Sequence, residues 1–166
     1  MITLDALPPD PQTLRQAYGC FPSGVTAVCA LLDGAPVGMA ASSFTSVSLS
    51  PPLVSLCVQH SSRTWPKLSG CPRLGVSVLA ADHDVACLNL SRKEGDRFAG
   101  VEWEPTGEGA VFVHGATAWL ECSVEAEIPA GDHAIVLLRI HALRAEPETT
   151  PLIFHASRFR TLAAID

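Results

Sequence analysis

Between Thr117 and Leu143 the apolar and polar positions alternate with a period of two. Over residues 116–126, Ala118, Leu120, Cys122, Val124 and Ala126 share one side of an extended segment, and Thr117, Glu121, Ser123 and Glu125 share the other. A second long strand, residues 133–143, places Val136, Leu138, Ile140 and Ala142 together. Upstream the runs are more uniformly apolar. VTAVCALL, residues 25–32, is rich in β-branched residues and ends at Asp33-Gly34, a strong signal for a two-residue hairpin turn. Residues 37–43 are then the returning strand, and 53–58 and 74–79 read as buried strands.

Helical patterns are few. Asp10-Pro11 supplies an N-cap followed by proline at the first helical position. That helix is expected to run to about Tyr18, to turn Leu14 and Tyr18 inward and to stop at Gly19. Residues 62–68 predict a short helix. Residues 82–92 predict another, capped by aspartate, with Val85, Leu88 and Cys87 on one face. Six or more mostly antiparallel strands with so few helices predict a mainly β fold, a small barrel whose closure removes exposed strand edges.

The chain has 166 residues and no internal repeat, so a single domain over 1–166 is expected. Hydrophobic residues make up 48% and charged residues 17%, a globular composition with some apolar surface left for a partner or ligand. The net charge is −6 and the basic residues are scattered, which argues against nucleic acid as a partner. No apolar run reaches the length of a membrane helix, and the N-terminus lacks the basic-then-apolar order of a signal peptide. A soluble cytoplasmic protein is the expectation. The six cysteines include no CxxC pair and read as small core residues; no metal-ligand spacing is present.

Candidate chemistry starts with SSFTSVSLSPP, residues 42–52, where six of the first nine residues carry a hydroxyl. Such residues cap their own backbone in loops, or line one wall of a polar ligand. Backbone amides stiffened by Pro51-Pro52 suit the edge of a flat heteroaromatic ring. In HSSRTWPKL, residues 60–68, Ser61, Ser62 and Thr64 sit at the expected helix start beside Arg63 and Lys67, which is either a capped surface turn or an anion site. His133, in GDH at a strand mouth, is either a satisfied turn residue or a contact to a ligand. Arg97 and Phe98, in GDRFAG, pair a cation with an aromatic wall. Phe154 and Phe159 of the tail suit the core, and Arg158 is harder to place there. Neither a P-loop nor a GxGxxG fingerprint is present.

Taken in order, FPSGVTAV (21–28), GMAASSFTSVSLSPPLVSL (38–56), SVLAADH (77–83), RFAG (97–100), GDH (131–133) and PLIFHASRF (151–159) resemble the short-chain flavin reductase family. The resemblance implies an FMN-binding split β-barrel, Greek-key-like with a few short helices. It implies a homodimer with FMN or FAD bound near the subunit interface. It also implies NADH- or NADPH-dependent flavin reduction that supplies a separate monooxygenase.

Carried over by position, Ser42, Ser43, Phe44 and Thr45 would run along the isoalloxazine edge, and Ser46, Val47 and Ser48 would continue toward the ribityl chain. Ser61, Ser62 and Thr64 would hold ribityl and phosphate oxygens, Arg97 would neutralise the phosphate, and Phe98 would stand beside it. His133 would sit near the nicotinamide, with Phe154 and Arg158 closing the pocket or serving the pyridine nucleotide. Two positions depart from the family pattern: Ser77 stands where Asn is frequent, shortening one contact to the flavin chain, and Phe154 replaces a tyrosine and loses its hydroxyl. Two other readings fit the same barrel, an FMN-binding redox sensor or carrier without turnover and a pyridoxamine-phosphate-oxidase-like FMN enzyme.

Overall fold

The computed structural model describes residues 1–4, 6 and 10–163. Helix α1 (Pro11–Gly19) begins where Asp10-Pro11 predicts, with the Asp10 carboxylate accepting from the Gln12 N–H at 3.1 Å. The inward face expected of it is absent. None of its residues is buried and Tyr18 is 70% exposed, because α1 lies outside the barrel.

The strands are β1 (Ser23–Gly24), β2 (Thr26–Leu32), β3 (Ala35–Ala41), β4 (Thr45–Leu49), β5 (Pro52–Gln59), β6 (Leu74–Val78), β7 (Trp103–Pro105), β8 (Val111–Val113), β9 (Ala118–Ala130), β10 (His133–Ala145), β11 (Ile153–His155) and β12 (Arg158–Arg160). Helices α2 (Trp65–Leu68) and α3 (Asp84–Leu90) interrupt them. Seven strands form one antiparallel sheet in the order β3-β2-β6-β9-β10-β5-β4. β7 and β8 form a separate hairpin, and β1, β11 and β12 a small third sheet. The hairpin between β2 and β3 turns on Asp33 and Gly34, both with positive φ (52° and 78°), the geometry that selects this dipeptide.

The sheet curls around a core in which Val28 of β2 meets Leu56 of β5, Val76 of β6, Leu120 of β9 and Leu138 of β10. Trp65 and Leu68 of α2 plug this core. A second core lies on the other face of β2, where Ala27 and Cys29 pack with Leu79, with Ala86, Cys87 and Leu90 of α3, and with Val111 and Val113 of β8. β2 is therefore buried on both faces, which is why residues 25–32 read as a continuous apolar run. β5 buries only Val54, Leu56 and Val58, one face rather than two. β8 crosses β6 closely enough that a Cβ on Gly75 would stand 2.1 Å from the Val111 carbonyl oxygen.

Three expectations fail for local reasons. Helix α3 is shorter than residues 82–92, has His83 rather than aspartate at its N-cap position, and buries Ala86, Cys87 and Leu90 while Val85 and Leu88 are exposed. The pairing of β9 with β10 shifts register twice, between Leu137 and Leu138 and between Ile140 and Ala142. The first shift leaves Glu125 without a partner and moves Ala126 to the face of Leu137; the second does the same at His141 and pairs Ala142 with Glu121. Cys29, Cys87 and Cys122 are core residues as expected, whereas Cys20 and Cys57 are exposed. Burial pushes the Cys29 and Cys122 thiols up to about 12. Among the described residues no helix is long and apolar enough to cross a membrane, and no group of His, Cys, Asp and Glu is placed to hold a metal ion.

Candidate functional site

β3 and β4 are the two open edges of the seven-stranded sheet, and residues 42–44 join them. The end of β3 is tied back to β5 by one side chain. The Ser43 hydroxyl accepts from the Cys57 N–H at 2.8 Å and donates to the Cys57 carbonyl at 3.2 Å. The barrel is thus split along β3, and a cleft of about 650 Å³ opens there, a size typical of small-molecule sites. Met39, Ala40 and Ala41 form one wall, and Cys57, Val58 and Gln59 of β5 face them. Because β3 pairs only with β2, its other edge presents unpaired backbone N–H and C=O groups to the cleft.

The segment after β5 supplies the cleft's polar end. The Ser62 hydroxyl accepts from the Trp65 N–H at 3.1 Å and so caps the single turn of α2. Thr64 accepts from Arg97 Nη1 at 2.7 Å, and the same nitrogen donates to the Gly38 carbonyl at 3.0 Å. Both Nη1 protons are spent, which fixes the guanidinium against β3 and leaves Nε and Nη2 free to bind an anion. Arg63 and Lys93 line the same end, with the Arg63 Nη2 donating to the Lys93 carbonyl at 3.4 Å. Three cations converge here in a chain whose net charge is −6. Ser42 also lines the cleft, its hydroxyl making no hydrogen bond among the described residues, and Ser61 donates to Gln59 at 3.5 Å.

His133 opens β10 at the mouth of the cleft. Its Nδ1 lies 2.7 Å from the Asp132 carboxylate, and the bond from His133 holds that carboxyl below its usual range. An ionised carboxylate only accepts, so Nδ1 carries a proton and donates it to Asp132, which leaves Nε2 as the ring nitrogen not engaged by that bond.

The cleft therefore gathers Ser42, Ser43, Ser61, Ser62, Thr64, Arg97 and His133 from the sequence expectation. Others fall elsewhere. Phe44 packs against the barrel core. Thr45, Ser46 and Ser48 pair with β5 as part of β4, Val47 is the bulged residue between them, and none of the four lines the cleft. Ser77 is fully buried, its hydroxyl accepting from the Val113 N–H at 3.0 Å, so it braces β8. Phe98 packs edge-on to Trp103 and lines a continuation of the cleft past Arg97. Phe154, edge-on to Phe159, lines a neighbouring groove that shares Ser42 with the cleft. Arg158 is exposed on β12, outside the cleft. Sequence reasoning missed Lys93 and Gln59. Lys93 carried a usable signal, an Arg92-Lys93 pair four residues before Arg97 in a chain poor in basic residues.

Comparison with known proteins agrees with this architecture. The family model described as "Flavin reductase like domain" matches residues 18–163. A flavin reductase from Pseudomonas putida is 38% identical over 157 residues, covering 94% of this chain and 92% of that one. The reductase subunit HsaB of a flavin-dependent monooxygenase from Rhodococcus jostii is 34% identical over 150 residues, covering 90% of this chain and 77% of that one. Among solved structures, the NADH:FAD oxidoreductase SgcE6 of Streptomyces globisporus, in complex with NAD and FAD fragments, superposes with a TM-score of 0.87 at 38% identity, covering 95% of this chain and 98% of that one. With most of its length matched by the family model, a split barrel in common and relatives above 30% identity along nearly the whole chain, the protein belongs to the flavin reductase like domain family.

Proposed function

We propose that this chain is an NAD(P)H:flavin oxidoreductase that reduces FMN or FAD and passes reduced flavin to a monooxygenase. One observation carries the reading: the split in the barrel joins an unpaired strand edge, a fixed guanidinium with two nitrogens to spare, and an oriented histidine in one cleft. The donor set suits a flavin. Edge amides and carbonyls of β3 match the pyrimidine side of a flat ring, the hydroxyls of Ser42 and Ser61 suit a polyol, and Arg63, Lys93 and Arg97 suit a phosphate.

A bound flavin supplies the two-electron acceptor for a hydride from nicotinamide. The protein's own residues do the rest. Arg97, held by Thr64 and Gly38, anchors the anionic end. Ser43 keeps β3 against β5, so the ring-binding edge is rigid before a ligand arrives. His133 stands at the mouth, where the second ring must enter, and Asp132 fixes its tautomer. Its Nε2 is the ring nitrogen that Asp132 does not hold, and we assign it to positioning the nicotinamide.

Two further parts of the reading concern assembly and place. Ile135 and Leu137 of β10 share the outer sheet face with Ile128 and Cys57, opposite the buried Ala134, Val136 and Leu138. We assign this apolar outer face to a homodimer contact. A cytoplasmic location accords with six free cysteines, two of them exposed. The relative from Rhodococcus jostii, a reductase subunit of a flavin-dependent monooxygenase, supports an oxygenase as the recipient.

The test is oxidation of NADH and of NADPH with added FMN, FAD and riboflavin. Turnover rising with flavin concentration supports a reductase. Flavin binding without oxidation of either nucleotide would make the protein a carrier or sensor and overturn the proposal.

A further inference from the structure

Strand β9 turns Leu120 and Cys122 into the core, so Trp119 and Glu121 share its other face. The register shift at His141 sets Arg144 of β10 opposite Trp119, and Ala142 opposite Glu121. The β7–β8 hairpin faces this part of the ribbon and encloses a cavity of about 430 Å³ against it, with Glu104 and Phe112 on the hairpin side. The cavity shares no lining residue with the cleft at the split in the barrel or with the hollow past Arg97. Its walls are tied at both ends. The Ser77 hydroxyl accepts from the Val113 N–H at 3.0 Å, and the Val113 carbonyl accepts from the Trp119 indole N–H at 2.8 Å. The Thr106 hydroxyl donates to Glu121 Oε1 at 2.9 Å. The space is therefore formed before any ligand arrives.

Its charge is opposite to that of the cleft. Glu104 and Glu121 both line it, and the only Lys or Arg among its lining residues is Arg144. Glu146 draws on that charge, accepting from both Nε and Nη2 of Arg144. The basic group paired with Glu104 is His114, whose Nε2 lies 3.9 Å away, and Glu121 Oε2 makes no hydrogen bond among the described residues. The Arg144 guanidinium also stands over the Trp119 ring, 5.5 Å from its centroid, a cation–π contact. The chain's own side chain thus displays what the indole face accepts, a positive group flanked by carboxylates. A phosphate or carboxylate entering here would meet Glu104 and Glu121 and be repelled.

We infer that this cavity is a second ligand site and that it takes an aromatic amine in its ammonium form. The ammonium lies between Trp119, Glu104 and Glu121, and the ring rests on Phe112 and Leu143. Arg144 is the built-in occupant that the ligand displaces from the indole; its side chain is 75% exposed, so it leaves into solvent with its Glu146 bonds kept. The anions suited to the cleft have no place in this cavity, which serves a different class of molecule.

The probes are phenethylamine, charged at neutral pH, and phenylacetate, which carries the same ring on a carboxylate. NMR of the three tryptophan indole N–H signals reads the binding. Phenethylamine shifts the Trp119 signal saturably, and phenylacetate binds there at least about tenfold more weakly. Glu104→Gln and Glu121→Gln each weaken phenethylamine about two- to fivefold and leave FMN affinity within about twofold of the native value. Arg144→Ala acts in the opposite direction and tightens phenethylamine about three- to tenfold, because the indole face is vacated. Equal affinity for the two probes overturns the inference, as does an Arg144→Ala variant that binds phenethylamine no more tightly than the native protein. A response confined to Trp65 or Trp103, or no saturable shift at Trp119 up to about 10 mM, overturns it as well.

Discussion

Replacing Arg97 with alanine separates the anionic end of the cleft from its ring-binding wall. In the native protein Arg97 gives both Nη1 protons to the Gly38 carbonyl and Thr64 Oγ1, at 3.0 and 2.7 Å, and keeps three N–H groups for a ligand. Two of these facing a phosphate are charge-assisted bonds, worth about 1.5–3 kcal/mol each in a dry site. The cleft is open and the side chain only half-buried, so solvent reduces their sum to about 2 kcal/mol, or roughly a thirtyfold loss of FMN affinity. Riboflavin has the same ring and polyol without the phosphate. Its loss is limited to the slack introduced at Thr64 and Gly38, below about 1 kcal/mol or roughly fivefold. Parallel titrations of both flavins at low and high salt read the difference, which should narrow as salt screens the phosphate term. Arg97→Lys retains a point charge but cannot hold Gly38 and Thr64 while forking to a phosphate, so it falls between the two. Equal losses of FMN and riboflavin affinity would refute the phosphate contact.

Asp132→Asn should leave flavin affinity unchanged and, like His133→Ala, raise the NADH KM or slow hydride transfer severalfold; steady-state kinetics beside a flavin titration check both. The Asp132 carboxyl is held below its ordinary 3.8 by His133, so the pair is fully formed above that pH and lost as pH falls through the lowered value, which an NMR titration of the carboxyl carbon would follow. Ser43→Ala removes the staple between β3 and β5 and leaves the exposed Cys57 N–H and C=O to water, a cost of about 0.5–1.5 kcal/mol. For a chain of this length that is roughly 1–6 °C in Tm, and an unchanged melting curve would show that the barrel holds its split without this side chain.

What the chain reveals before folding is mostly local. The Asp33-Gly34 turn, the Asp10 cap and the one-sided burial of Leu120 and Cys122 follow from neighbours a few residues apart, and the structure contains all three. The resemblance to flavin reductases, carried on motifs spread over the chain, matches the family found by comparison. The hydroxyls were harder. Ser42, Ser43, Ser62 and Ser77 look alike in sequence, yet one is free, one staples two strands, one caps a helix and one braces β8. Their partners are set by strands that meet only in the closed sheet. Thr45 to Ser48 likewise read as a ligand wall because nothing nearby announces that β5 will pair with them. The alternation of β9 and β10 misled at Ala126 and Ala142, since a bulge is an insertion that polarity alone does not mark.

Those two bulges lie on opposite strands of one ribbon, and their offsets cancel. From His133 to Leu137, and again from Ala142 to Ala145, β10 keeps a common register with β9; only the block from Leu138 to Ile140 is displaced by one. Losing Glu125 alone, or His141 alone, would slide one arm of the ribbon along the other and misplace the far end. Losing both would restore a continuous ladder with every remaining side chain on its present face. Length changes in this ribbon are therefore tolerable in compensating pairs, and the barrel's longest hairpin can straighten or bend without a single core residue changing sides.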